Sequence, residues 1–141
     1  MAGIKAIVGD KIINKKGEEV DVEELCKDKK AVGIYFSAHW CPPCRGFTPV
    51  LSKFYEANDK DFVVIFVSSD RDQSSFDEYF GEMPWYAVSY SKRDVKDAVS
   101  TKYGVRGIPT LVVLKPDGTT IDANGRGVVA SAGDKFPDAW C

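Results

Sequence analysis

Two cysteines stand three apart in the run Ser37-Ala38-His39-Trp40-Cys41-Pro42-Pro43-Cys44-Arg45. Such a pair has three chemistries open to it: a redox couple, half of a metal site, or a structural bridge. If Cys41 begins a helix, its sulfur faces backbone N–H groups that no carbonyl satisfies and the positive end of the helix dipole, and both favour the thiolate. Cys44 then lies one turn on, on the same face, within reach of a mixed disulfide formed at Cys41. Cys41 is thus the expected nucleophile and Cys44 the resolving thiol. Pro42 and Pro43 stiffen the turn and remove two N–H groups, so the Cys41 thiol is expected to be less acidic than in a turn richer in donors.

The rival chemistries find little support. A structural zinc site needs four converging ligands, and beyond this pair the chain offers Cys26, Cys141 and His39, with no second C-x-x-C. His39 is the only histidine, and two residues from Cys41 at a strand end is poor geometry for a general base. Trp40 is either a flat apolar wall against a docking peptide or an aromatic packed on the domain, and Trp85 reads better as packing. Cys26 is expected to be a small buried residue on a short helix. Cys141 is expected to be a free terminal thiol, able to link two otherwise monomeric chains on oxidation.

The elements that must hold this turn can be read from apolar patterning. Ala31 to Phe36, Phe62 to Val67 and Leu111 to Leu114 are rich in β-branched and aromatic residues without alternation, as strands buried on both faces of a sheet are. Between the first two, Phe47, Val50, Leu51, Phe54 and Tyr55 draw an apolar helical stripe, with a kink expected at Pro49. A β-α-β unit follows, with the cysteines at its strand-to-helix turn. Phe76, Tyr79 and Phe80 mark a short helix, and Asp94 is placed to cap another that carries Val95, Ala98, Val99 and Tyr103 before Gly104 ends it. Leu111 to Asp122 reads as a hairpin turning at Lys115 to Gly118, with its second strand near Thr119 to Ile121. Lys11 to Val20 reads as an N-terminal hairpin turning at Lys16-Gly17, followed by a short helix from Val22 to Cys26.

A chain of 141 residues, 44% hydrophobic and 28% charged, suits one globular α/β domain over 1–141. Its net charge of -2 argues against direct binding to nucleic acid or an anionic membrane. The first residues, with apolar runs broken by Lys5, Asp10 and Lys11, carry no secretory or spanning stretch. Cytosol, with the nucleus as a second site, is the expected compartment.

The segments FSAHWCPPCRGFTP (Phe36 to Pro49) and VRGIPT (Val105 to Thr110) resemble the thioredoxin superfamily. WCPPCRGFTP together with EMPWYAVSY (Glu82 to Tyr90) is similar to its tryparedoxin and nucleoredoxin branch, and the resemblance runs from roughly Lys11 to Trp140. It implies a thioredoxin fold, a central mixed β-sheet flanked by helices with an N-terminal β-hairpin. It also implies that Pro109 is a cis proline opposite the cysteines, leaving the Ile108 backbone free to pair with an incoming peptide. Trp40, Pro42, Pro43, Ile108 and Pro109 are then the substrate-binding residues.

Six positions before the first cysteine, where thioredoxins carry a buried proton-transferring acid, stands Tyr35. Asp70 is placed like an acid of tryparedoxins and could replace it, or it could cap a helix with Asp72. Ser69 stands where tryparedoxins have a tryptophan, and Arg126 matches a basic residue near their final strand. The implied activity is thiol-disulfide exchange: reduction of protein disulfides through Cys41 and Cys44, regenerated by an upstream thiol system, with no metal or organic cofactor. The alternative is a redox-controlled module that binds signalling proteins or transcription factors, as nucleoredoxins do.

Overall fold

Runs of β-branched and aromatic residues that do not alternate need apolar cover on both faces. In the computed structural model, which describes residues 3–132, 135–137 and 140, such runs form the middle of one seven-stranded sheet. The strands are β1 (Lys11–Ile13), β2 (Glu19–Asp21), β3 (Ala31–Ser37), β4 (Phe62–Ser68), β5 (Tyr86–Ala87), β6 (Thr110–Leu114) and β7 (Thr120–Asp122). The helices are α1 (Lys5–Val8), α2 (Val22–Cys26), α3 (Pro42–Asn58), α4 (Gln73–Phe80), α5 (Arg93–Lys102) and α6 (Gly125–Ala132). The sheet order is β2-β1-β5-β4-β3-β6-β7. β3, β4 and β5 run parallel, while the β1–β2 hairpin and the β6–β7 hairpin add antiparallel edges. This is a thioredoxin fold with its N-terminal hairpin.

Strand pleating sends successive side chains to opposite faces, and β4 shows it plainly. Phe62, Val64 and Phe66 join a core with Phe47, Leu51 and Phe54 of α3 and with Phe76, Tyr79 and Phe80 of α4. Val63, Ile65 and Val67 join a second core with Val8 of α1, Val22 and Cys26 of α2, and Val99 of α5. β3 and β4 are in register from Ala31 opposite Phe62 to Ser37 opposite Ser68, so both strands end level with each other. That shared end carries the Cys41 turn. Trp85 is buried against the rings of Tyr35 and Tyr55, which is the packing role expected of it.

Three expectations need correction. Val50 lies on the stripe expected to be buried but is 44% exposed, because α3 buries only the side bearing Phe47, Leu51 and Phe54 and leaves Val50 in a groove towards α6. Asp94 does not cap α5: Lys92 is the N-cap, without a side-chain bond, and Asp94 sits inside the first turn. There its charge still faces the positive end of the dipole. Finally, the strand after the Lys115 to Gly118 turn starts at Thr120 rather than Thr119, the Thr119 carbonyl being taken by Lys115 N–H at 2.7 Å. Pro49 lies within α3, which runs unbroken from Pro42 to Asn58.

Candidate active site

β3 delivers the chain to Ser37, a short turn follows, and Cys41 becomes the N-cap of α3. The turn closes through Cys41 N–H, which donates to the Ala38 carbonyl at 3.2 Å. With Pro42 and Pro43 at the first helical positions, the Cys44 N–H, 3.4 Å from the Cys41 sulfur, is the backbone donor that reaches it. Cys41 and Cys44 are joined as a disulfide across a Cα separation of 5.2 Å. The pair is asymmetric: Cys41 is 5% exposed and Cys44 is fully buried. An incoming reactant therefore meets Cys41 first.

Opposite the pair, the loop before β6 brings Ile108 and Pro109 into place, and the peptide between them is cis. The Ile108 carbonyl lies 3.8 Å from the Cys41 sulfur, and its side chain packs with Ala38, Cys41 and Cys44. Pro109 is buried. Its carbonyl accepts from the Arg126 guanidinium at 3.5 Å, and the same guanidinium lies 5.9 Å from the centre of the Phe47 ring. Arg126 stands at the first turn of α6, beside a groove of about 520 Å³ lined by Pro43, Phe47 and Val50 among others.

The other side of the turn is tied to the end of β4. One carboxylate oxygen of Asp70 accepts from His39 N–H at 2.8 Å, and the other accepts from the Ser68 hydroxyl at 2.7 Å. Asp70 is 5% exposed, and helix capping falls to Asp72 alone, which accepts from Ser75 N–H. Arg93 adds a clamp, donating to the Ser68 and Tyr90 carbonyls at 2.8 and 2.6 Å. Trp40 is half exposed, at 50%. Its indole N–H donates to the Ser69 carbonyl at 3.1 Å, and the Arg71 guanidinium lies 5.2 Å from its ring centre. The ring is thus held at the surface by Ser69 and Arg71 and does not join the core.

Beneath the turn, four hydroxyls form a chain. Tyr35 meets Thr48 at 2.7 Å, Thr48 meets Tyr79 at 2.6 Å, and Tyr79 meets Ser37 at 2.7 Å. Thr48 donates to the Cys44 carbonyl at 3.0 Å and so accepts from Tyr35 and Tyr79, while the Tyr35 hydroxyl lies 3.3 Å from the same carbonyl. Burial, reinforced by neighbouring Tyr79, pushes the Tyr35 phenol well above its ordinary pKa, so it stays protonated and serves as a donor. The chain anchors the first turn of α3 through the residue that bears the buried sulfur.

Sequence reasoning reached Cys41, Cys44, Trp40, Ile108, Pro109, Tyr35 and Asp70, and the structure gathers them at one end of the sheet. It missed Ser37, Thr48, Tyr79, Arg71 and Arg93, whose partners lie up to 42 positions away and leave no local spacing signal. Cys26 is apart from the site: it packs in the other core, where burial pushes its thiol up to about 12. The expected role of Cys141 falls outside the described residues. Among the described residues no three His, Cys, Asp or Glu converge as metal ligands, and no helix is long and apolar enough to cross a membrane.

The Thioredoxin-like family model matches residues 28–120. Tryparedoxin of Trypanosoma brucei brucei is 39% identical over 143 residues, covering 97% of this chain and 98% of that one, and a solved tryparedoxin structure from Trypanosoma brucei superposes with a TM-score of 0.89 at 36% identity, covering 99% of each chain. The chain belongs to the thioredoxin-like family. Nucleoredoxin of Bos taurus is 43% identical over 126 residues, covering 86% of this chain but 28% of the relative, so the chain spans little more than a quarter of that longer protein. The family is one of redox enzymes with a reactive cysteine pair.

Proposed function

We propose that this protein reduces disulfides in other proteins by thiol-disulfide exchange. The observation that carries the reading is the asymmetry of the Cys41–Cys44 pair, Cys41 retaining 5% exposure with its sulfur beside the Ile108 carbonyl and Cys44 fully buried behind it. In the reduced state the Cys41 thiolate attacks one sulfur of a substrate disulfide. The substrate S–S bond breaks, its other sulfur leaves as a thiolate and takes a proton, and a mixed disulfide remains on Cys41. Cys44 loses its proton and attacks the Cys41 sulfur, expelling the second substrate thiol. Two electrons and two protons have passed to the substrate, and the protein is left as the Cys41–Cys44 disulfide for an upstream thiol reductant to regenerate.

The other roles follow from position. Trp40, Pro42, Pro43, Ile108 and Pro109 surround Cys41, the more accessible of the two cysteines, and would cradle the substrate backbone. Tyr35 and Asp70 are the residues assigned to proton transfer: Tyr35, held protonated, can give a proton to a departing thiolate, and Asp70 acts through the turn it holds, while the proton that Cys44 loses passes to solvent. The couple needs no metal or organic cofactor, and it suits a reducing compartment such as the cytosol or nucleus.

The likeness to part of nucleoredoxin supports a second reading, in which the dithiol switches binding to signalling proteins or transcription factors and turnover is incidental. The reduction potential of the Cys41–Cys44 couple, measured against a glutathione series, separates the two. A reductase is expected at or below about -220 mV, whereas a value near -180 mV or higher favours a switch or an oxidant.

A further inference from the structure

The five arginines of the chain, Arg45, Arg71, Arg93, Arg106 and Arg126, all fall at the end of the sheet that carries the cysteines. Arg93 is spent on backbone carbonyls. The other four are exposed and stand on different segments that lead to or from the site. Arg45 follows Cys44. Arg71 covers the Trp40 ring, Arg106 lies two residues before Ile108, and Arg126 reaches the Pro109 carbonyl.

None of these four pairs with a carboxylate. Every ion pair among the described residues uses a lysine, namely Lys11, Lys27, Lys30 or Lys96. The acids beside Arg71 are otherwise engaged, Asp70 being buried on His39 N–H and Ser68 and Asp72 capping α4, and Asp122, four residues before Arg126, accepts from Asn124 N–H. Arg45 shares its cleft with Lys53, Glu56 and Glu82, so its charge is locally balanced. Arg71, Arg106 and Arg126 are left as a positive rim on a protein whose net charge is -2.

An unpaired guanidinium beside an apolar wall is suited to carboxylates, which it grips with two parallel hydrogen bonds where lysine offers a single point charge. Trp40 and the groove at Phe47 and Val50 supply the apolar surface between the charges. We infer that the preferred substrate is a polypeptide disulfide flanked by acidic residues, held with one acidic flank at Arg71 and the other at Arg106 and Arg126 while its sulfur meets Cys41. The inference rests on the reductase reading and adds to it a substrate class. It also gives Arg71, Arg106 and Arg126 a role in choosing substrate instead of in breaking bonds.

The test uses three synthetic peptides that share one cystine loop and differ in flanking residues: glutamate, glutamine or lysine. Pre-reduced protein is mixed with each, and the second-order rate of disulfide loss is divided by the rate with dithiothreitol. This normalisation matters because carboxylates beside a disulfide repel any thiolate and slow the uncatalysed reaction. At low salt the glutamate peptide is expected to react roughly tenfold faster than the glutamine peptide after normalisation, with the advantage shrinking as salt screens the rim. In the double variant Arg71→Gln, Arg106→Gln, the glutamate-to-glutamine ratio should fall to within about twofold. A ratio near one in the parent protein, or a preference for the lysine peptide, overturns the inference while leaving the reductase reading intact. Binding of the same peptides to the Cys41→Ser, Cys44→Ser variant, followed by tryptophan fluorescence, reads the charge preference without chemistry. Acid preference in binding but no reduction by the parent would uphold the rim and remove the reductase reading. Equal binding of all three peptides would overturn the rim independently.

Discussion

At the scale of single residues, Asp70 separates proton transfer from positioning most cleanly. Its two oxygens hold the His39 N–H and the Ser68 hydroxyl, so it acts on the cysteines through the backbone of their turn. Asn keeps an acceptor for His39 N–H, whereas Ala leaves that donor without a partner, a loss of about 1–3 kcal/mol when buried. If Asp70 works by positioning, Asp70→Asn retains most of the reduction rate, while Asp70→Ala lowers both the rate and the melting temperature. Stopped-flow reduction rates and thermal unfolding of the two variants check this. Equal loss of rate in both, with unchanged stability in Asp70→Asn, would instead make the carboxyl itself the proton carrier. Tyr35 belongs to the same question. Its burial holds the phenol protonated, so it can donate a proton but cannot take up the one that Cys44 loses.

At the scale of elements, α6 connects the core to the substrate rim. Its first residue, Gly125, lies so close to β6 that an added Cβ would meet Val113 Cγ2 at 2.5 Å and Leu111 Cδ2 at 3.2 Å. Both neighbours are buried, so neither can step aside into solvent. Gly125→Ala is expected to destabilise by about 1–3 kcal/mol through overpacking, read as a lower urea midpoint with little change in slope. Because Arg126 is the next residue, the same shift would loosen its hold on the Pro109 carbonyl. A variant as stable as the parent would mean that α6 is free to move away from β6.

The close contact at Gly125 also explains what the sequence concealed. The β3-α3-β4 unit is legible because Ala31 to Phe36 and Phe62 to Val67 are unbroken apolar runs and the α3 stripe has helical spacing. The α6 stretch, Gly125 to Ala132, carries two glycines, which weaken any local helix signal by about 1 kcal/mol each. Packing against β6 outweighs that propensity. β5 has two residues, too few to show a period, and it exists because β1 and β4 pair with it from either side. Val50 failed for the opposite reason: the apolar period was correct, but α3 buries a narrower face than the stripe.

For the molecule as a whole, legibility tracks the range of the interaction. The cysteine pair is local, and a helix start is enough to suggest its chemistry. Ile108 and Pro109 lie 67 positions or more from Cys41, and their place opposite it came from resemblance, since no spacing rule links them. The hydroxyl chain beneath Cys44 and the arginine rim around Cys41 are assembled wholly by the fold. The sheet brings the ends of β3 and β4 level, inserts β6 beside β3, and so gathers residues from separate segments around one cysteine pair.

The central claim is the order of events at the pair, attack by Cys41 and resolution by Cys44, and it is tested most directly by trapping. Pre-reduced parent protein, Cys41→Ser and Cys44→Ser are each mixed with a protein disulfide substrate, quenched with an alkylating agent, and examined by mass spectrometry with peptide mapping. The parent is expected to release two substrate thiols and to end as an internal disulfide. Cys44→Ser should accumulate a mixed disulfide mapped to Cys41, and Cys41→Ser should form none. An adduct mapped to Cys44, or substrate reduction by Cys41→Ser at the parent rate, would contradict that order.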